Sequence, residues 1–69
     1  MITLDDRLLD AHARDDRTGL IALYAEAADT AQDIDAACFY LTHAYVFALE
    51  KGDPATELLY QRLKAEGRV

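Results

Sequence analysis

Fourteen residues, Ala36 to Leu49, constrain this chain more than any others: twelve are apolar or aromatic, and only Thr42 and His43 interrupt them. A helix that is apolar around its whole circumference has to be covered around its whole circumference. The segment therefore reads as the central rod of the fold. It is not a membrane span, because Asp33, Asp35, Glu50 and Lys51 bracket it well short of the roughly 20 apolar residues a bilayer requires.

The rest of the chain has to supply the cover, and there is little of it. Sixty-nine residues make one domain, and a domain of this size buries only about 60% of its unfolded surface. Cys38 is the sole cysteine, which excludes an intrachain disulfide, and two histidines without a cysteine pair argue against a structural zinc site. Stability is expected from helix packing, within one chain or across two. The formal net charge of -6 is spread from Asp5 to Glu66, so direct binding to a phosphate backbone, which needs a basic patch, is not expected. No basic region precedes a hydrophobic stretch in Met1 to Asp6. The start does not resemble a signal peptide, and the expected location is the cytoplasm.

Capping chemistry divides the chain into four helices, about residues 4–14, 17–32, 34–51 and 54–66. Thr3 opens the first, with Asp5 and Asp6 at the positive end of its dipole. Its stripe is Leu4, Leu8 and Ala11, with Leu9 and His12 at the margins, and Asp10 stands four residues before Arg14 for an exposed pair. Asp15 or Asp16 caps the second, whose Leu20, Leu23, Tyr24, Ala27, Ala28 and Ala31 share a face. Asp33 or Asp35 caps the third, and Gly52 closes it. Asp53 followed by Pro54 is a strong start for the fourth, which Gly67 stops. No strand-like alternation occurs, so the fold class is all-α.

At 100° per residue the third helix carries two apolar faces. Ile34, Ala37, Cys38, Leu41, Ala44, Tyr45, Ala48 and Leu49 form one, suited to close packing on the alanines of the second helix. Phe39, Tyr40, Val46 and Phe47 form the other around His43. That aromatic face has two readings: helices 1 and 4 clamp it, or another molecule does.

A shift of 36 residues places Leu8 on Ala44, Leu9 on Tyr45, Ala11 on Phe47, Ala13 on Leu49, Leu23 on Leu59 and Tyr24 on Tyr60. The period is that of a two-helix unit. Helices 1 and 2 would form one antiparallel hairpin and helices 3 and 4 its echo. With Tyr24 as the first-helix aromatic, Ala37 and Ala44 as small crossing positions around Leu41, and Gly52-Asp53-Pro54 as the closing turn, the stretch from Leu20 to Pro54 resembles the tetratricopeptide-repeat family. The spacing from Tyr24 to Ala37 exceeds that family's by about one helical turn. The resemblance implies a protein-binding role without catalysis, offered from a small surface or from an assembly.

Candidate chemistry is sparse. His43 is the one ionisable group inside the apolar run, read either as a hydrogen-bonded, partly buried histidine or as a binding or pH-sensing group. His12 and Asp16 have i, i+4 spacing, but the first helix is expected to end before Asp16. The aspartates fall mostly at helix starts, where caps and dipoles account for them. Serine is absent, Cys38 lies on the packed face, and there is no glycine-rich phosphate loop. No catalytic, metal or cofactor residue is therefore expected. The expected function is a small interaction module that binds a partner protein, or itself as a homodimer, through Phe39, Tyr40, His43, Phe47 and Tyr60. The alternative is an acidic regulator that masks a basic nucleic-acid-binding surface of a partner.

Overall fold

Each helix begins and ends on chemistry written locally in the chain. The computed structural model describes residues 2–69, which form α1 (Leu4–Ala13), α2 (Arg17–Thr30), α3 (Ile34–Lys51) and α4 (Ala55–Ala65) with no strand among them. Thr3 accepts the Asp6 amide at 3.1 Å while Asp6 accepts the Thr3 amide at 3.2 Å, a reciprocal capping box. Asp16 caps α2 through the Gly19 amide at 3.0 Å, and Asp33 caps α3 through the Ala36 amide at 2.8 Å. Pro54 already has helical dihedrals, and Asp53 accepts the Ala55 amide at 2.8 Å. The aspartate-proline pair thus starts α4 as expected.

Three helices close in the same way. The residue after the last turn takes a left-handed conformation, and the two amides beyond the helix reach back to its final carbonyls. After α3 the Asp53 amide meets the Ala48 carbonyl at 2.9 Å around Gly52 at φ 70. After α4 the Arg68 amide meets Leu63 at 2.9 Å around Gly67, also at φ 70. After α1 the same closure, Asp16 amide to Ala11 carbonyl at 2.9 Å, is built on Asp15 at φ 53. A side chain is strained there and glycine is not. Asp15→Gly is expected to raise stability by about 0.5 kcal/mol and Gly52→Ala to lower it by about 1 kcal/mol. A Cβ at Gly52 would meet nothing within 4 Å, so that loss is conformational alone. Urea midpoints of the two variants moving in opposite directions would establish the shared closure; equal or reversed shifts would refute it.

The second helix stops at Thr30, two residues earlier than the sequence pattern suggests. The Ala31 amide bonds the Ala28 carbonyl at 3.3 Å, leaving the Ala27 carbonyl to the Thr30 hydroxyl at 3.2 Å. Ala31 then turns extended at ψ 144, which swings the chain toward the Asp33 cap.

The α2–α3 pair is the heart of the packing. Ala27 and Ala28 of α2 and Ala44 and Ala48 of α3 are all buried, and small side chains let two helices approach closely. Leu41 and Cys38 complete the α3 side, Ile21 and Leu20 lie buried on α2, and Leu59 and Leu63 are the buried residues of α4. Ile21 lies outside the face read for the second helix; it belongs to the same core cluster as Leu59, so α2 has a second neighbour in α4. Backbones pack closely only between chain neighbours, α1 on α2, α2 on α3 and α3 on α4. The molecule is a slab of 34 × 29 × 12 Å. Arg7 pairs with Glu26 at 2.8 Å and His12 meets Tyr24 at 3.0 Å, contacts that fit α1 and α2 running in opposite senses. Arg62 bridges from α4 to Asp29 of α2 at 2.6 Å.

Candidate functional site

The third helix settles its circumference unevenly. Its inner arc, centred on Leu41, Ala44 and Ala48, faces α2 and α4. That arc is narrower than the face read from the sequence: Ile34, in the first turn, and Leu49, at 52% exposure, stay in solvent. On the opposite side Phe39 is 59% and Val46 47% exposed, and with Thr42 and Leu49 they line up at helical spacing. This row is the outer face of α3.

Between the two arcs lies an aromatic cluster organised by one residue of α2. Tyr24 sets its ring 5.1 Å from His43 and 5.9 Å from Phe47, both stacked, and 6.3 Å from Tyr40. From α1, His12 completes the group, 6.0 Å from the Tyr24 ring and 6.1 Å from Phe47, with its Nε2 sharing a hydrogen bond with the Tyr24 hydroxyl. Phe39 closes the outer side, 4.5 Å from His43 and 5.6 Å from Tyr40.

Of the five residues read as partner-binding, Phe39, Tyr40, His43 and Phe47 therefore form one cluster. Tyr60 stands apart, half-buried on α4 with its ring 6.2 Å from Tyr45. Tyr40, His43 and Phe47 are half-buried under Tyr24, and Phe39 is the exposed member. The two residues that complete the outer row, Val46 and Leu49, belong to different faces in the reading at 100° per residue. His12 was read only as a marginal position, because its Tyr24 contact depends on how α1 lies across α2.

His43 is held by its own helix. Its Nδ1 lies 2.9 Å from the Phe39 carbonyl, and since a carbonyl can only accept, Nδ1 carries the proton. Nε2 of the neutral ring is then left as an acceptor. Thr42 likewise donates to the Cys38 carbonyl at 2.8 Å. His12 and Asp16 do not form a helical pair, because α1 ends at Ala13 and Asp16 turns to the Gly19 amide. Among the described residues no three His, Cys, Asp or Glu side chains are grouped to hold a metal ion.

Electrostatically the surface is organised by its arginines. All five are ion-paired: Arg7 to Glu26, Arg14 to Asp10 and Asp16, Arg17 to Asp15 and Glu50, Arg62 to Asp29, and Arg68 to Asp35. The expected Asp10–Arg14 pair is present at 2.9 Å. Such exposed pairs are screened by solvent and contribute little to stability. The hydrogen bond to Asp35 also raises the Arg68 guanidinium above its ordinary value.

Two shallow hollows flank the outer row. One of about 480 Å³ lies among Asp35, Cys38, Phe39, Thr42, His43 and Arg68. Another of about 280 Å³ lies among Thr42, His43, Val46, Phe47 and Glu50. A larger groove of about 660 Å³ runs between α2 and α4, with no α3 residue in its lining. Among the described residues no helix is long and apolar enough to cross a membrane. Comparison of the chain with family models, with curated proteins and with solved structures finds no match.

Proposed function

We propose that this chain is a small, non-catalytic protein-interaction module of the cytoplasm that docks a partner on the outer face of α3. One observation carries the reading: Phe39, Val46 and Leu49 stand exposed in a row on a helix whose opposite side, Leu41, Ala44 and Ala48, is buried in the core. An apolar row rimmed by charge is the usual form of an association surface. Phe39 and Val46 are its anchors, Tyr40 and His43 are the bed that holds Phe39 in place, and Phe47 ties that bed to Tyr24 and His12. The likeness to tetratricopeptide hairpins agrees with a binding role and is part of the same proposal.

A photo-crosslinking residue at position 46, compared with one at Lys64, tests it in cells. Covalent protein adducts are expected from position 46 and none from position 64. Equal adducts from both positions, or none from position 46, would overturn the reading.

The second reading, an acidic regulator seated on a basic surface of another protein, draws on the charge pattern. Every arginine is engaged with a carboxylate of its own chain, and the formal net charge is -6, so the outward field is acidic. Binding that weakens steeply with added salt would favour this reading; binding indifferent to salt would favour apolar docking on α3.

A further inference from the structure

The first helix stands apart from the core. Of its ten residues only Ala11 is buried, Leu4 and Leu8 are half-buried, and Leu9 is 68% exposed. The core cluster draws on α2, α3 and α4 and takes no residue from α1, and the one helix on which the α1 backbone packs closely is α2. Side-chain contacts do the rest: Arg7 to Glu26 at 2.8 Å, His12 to the Tyr24 hydroxyl at 3.0 Å, and the His12 ring 6.1 Å from Phe47. An element held this way can leave and return while the core stays folded.

Its tether is short and strained. Three residues, Arg14 to Asp16, join α1 to α2. The middle one, Asp15, is the sole non-glycine residue at positive φ among the described residues, at 53. A Cβ is unfavourable in that conformation, which the backbone takes where it folds straight back from α1 into α2. A short hinge under strain, beside an element held by few contacts, invites exchange of that element between copies.

We propose that α1 is exchangeable: the Arg14–Asp16 hinge opens, and α1 of each of two copies docks on α2 of the other. The seat needs no new chemistry, because its occupant is the helix already shown to fit it. Arg7 meets Glu26, and His12 meets Tyr24 and Phe47, across two chains instead of within one. The Asp16 cap on the Gly19 amide lies wholly at the start of α2 and survives the opening. Opening breaks the Asp15 amide bond to the His12 carbonyl at 3.1 Å and the Asp16 amide bond to the Ala11 carbonyl at 2.9 Å. Against that loss it releases the strain at Asp15 twice, once in each hinge. The exchange is reciprocal, so it closes at two copies. The outer face of α3 takes no part in it, and failure of either reading leaves the other standing.

A one-to-one mixture of isotope-labelled and unlabelled chain, unfolded in urea and refolded together at millimolar concentration, tests the exchange after separation by size exclusion. A dimer fraction is expected. Isotope-filtered NMR of that fraction should show contacts between the His12 ring of one chain and the Tyr24 ring of the other. The hinge sets the amount. Asp15→Gly removes the strain and is expected to raise the dimer dissociation constant about fivefold, the product of two relieved hinges. Asp15→Val worsens the strain and is expected to lower it roughly tenfold or more. Since Asp15→Gly is the more stable chain, its smaller dimer fraction cannot come from misfolding, and it carries the comparison if Asp15→Val does not fold. A wild type that gives no dimer, a dimer whose His12–Tyr24 contacts all lie within one chain, or a dimer fraction undiminished in Asp15→Gly would each overturn the exchange.

Discussion

Leu63→Ala is expected to abolish the fold at room temperature or bring it close to that point. Leu63 is the largest side chain fully enclosed in the structure, and its carbonyl receives the Arg68 amide that closes α4. Truncating an enclosed leucine costs about 2–5 kcal/mol, part from lost transfer energy and part from the cavity left behind. A single core in a chain this small rarely supplies more than about 3–5 kcal/mol in total. Far-UV circular dichroism in urea reads the outcome, with the neighbouring Leu58→Ala as reference. Leu58 is 70% exposed, so its truncation should change stability by less than about 0.5 kcal/mol. Equal effects at positions 58 and 63 would mean that α4 does not pack on α3 with the face described.

Tyr24→Ala comes next in size, and its comparison with Tyr24→Phe isolates what the aromatic cluster contributes. The ring of Tyr24 is the shared neighbour of His12, Tyr40, His43 and Phe47. Removing it exposes the half-buried side of α3 and unseats α1, whose His12 has Tyr24 and Phe47 as its ring partners. The loss expected for this half-buried ring is about 2–3 kcal/mol. Tyr24→Phe keeps the ring and removes only the hydroxyl that meets His12 at 3.0 Å, an exposed hydrogen bond contributing about 1 kcal/mol or less. Urea unfolding measures both costs, and the ring-current shifts of the His43 imidazole protons report whether the stack survives. Retained His43 shifts in Tyr24→Phe and collapsed shifts in Tyr24→Ala are the expected pair. Equal losses in the two variants would assign the stabilisation to the hydroxyl rather than to the stack.

The contrast between Phe39 and Phe47 shows where reading a sequence for function loses resolution. Both lie on the aromatic side of α3, and residue type alone treats them alike. In the structure Phe47 sits against Tyr24 and His12, whereas the exposed Phe39 meets only neighbours on its own helix, Tyr40 and His43. The difference is made by where α1 and α2 bring His12 and Tyr24 against α3, and no pattern within residues 34–51 encodes it. The groove between α2 and α4 was invisible for the same reason. Its lining combines Ile21, Ala22 and Ala25 of α2 with Ala55, Leu58, Leu59 and Arg62 of α4, residues that face one another only because two helices distant in sequence both pack on α3.

Local chemistry determined the elements of this protein. The caps at Thr3, Asp16, Asp33 and Asp53, the closures at Gly52 and Gly67, and the alanines that let α2 and α3 approach are all properties of a residue and its neighbours within one turn, so the chain states them directly. Tertiary structure alone decided which side of the apolar rod stays open, that His12 joins Tyr24, and that α2 faces α4 across a groove. Those outcomes depend on the angles at which whole helices cross, and such angles are set by the fit of many side chains at once rather than by any one of them.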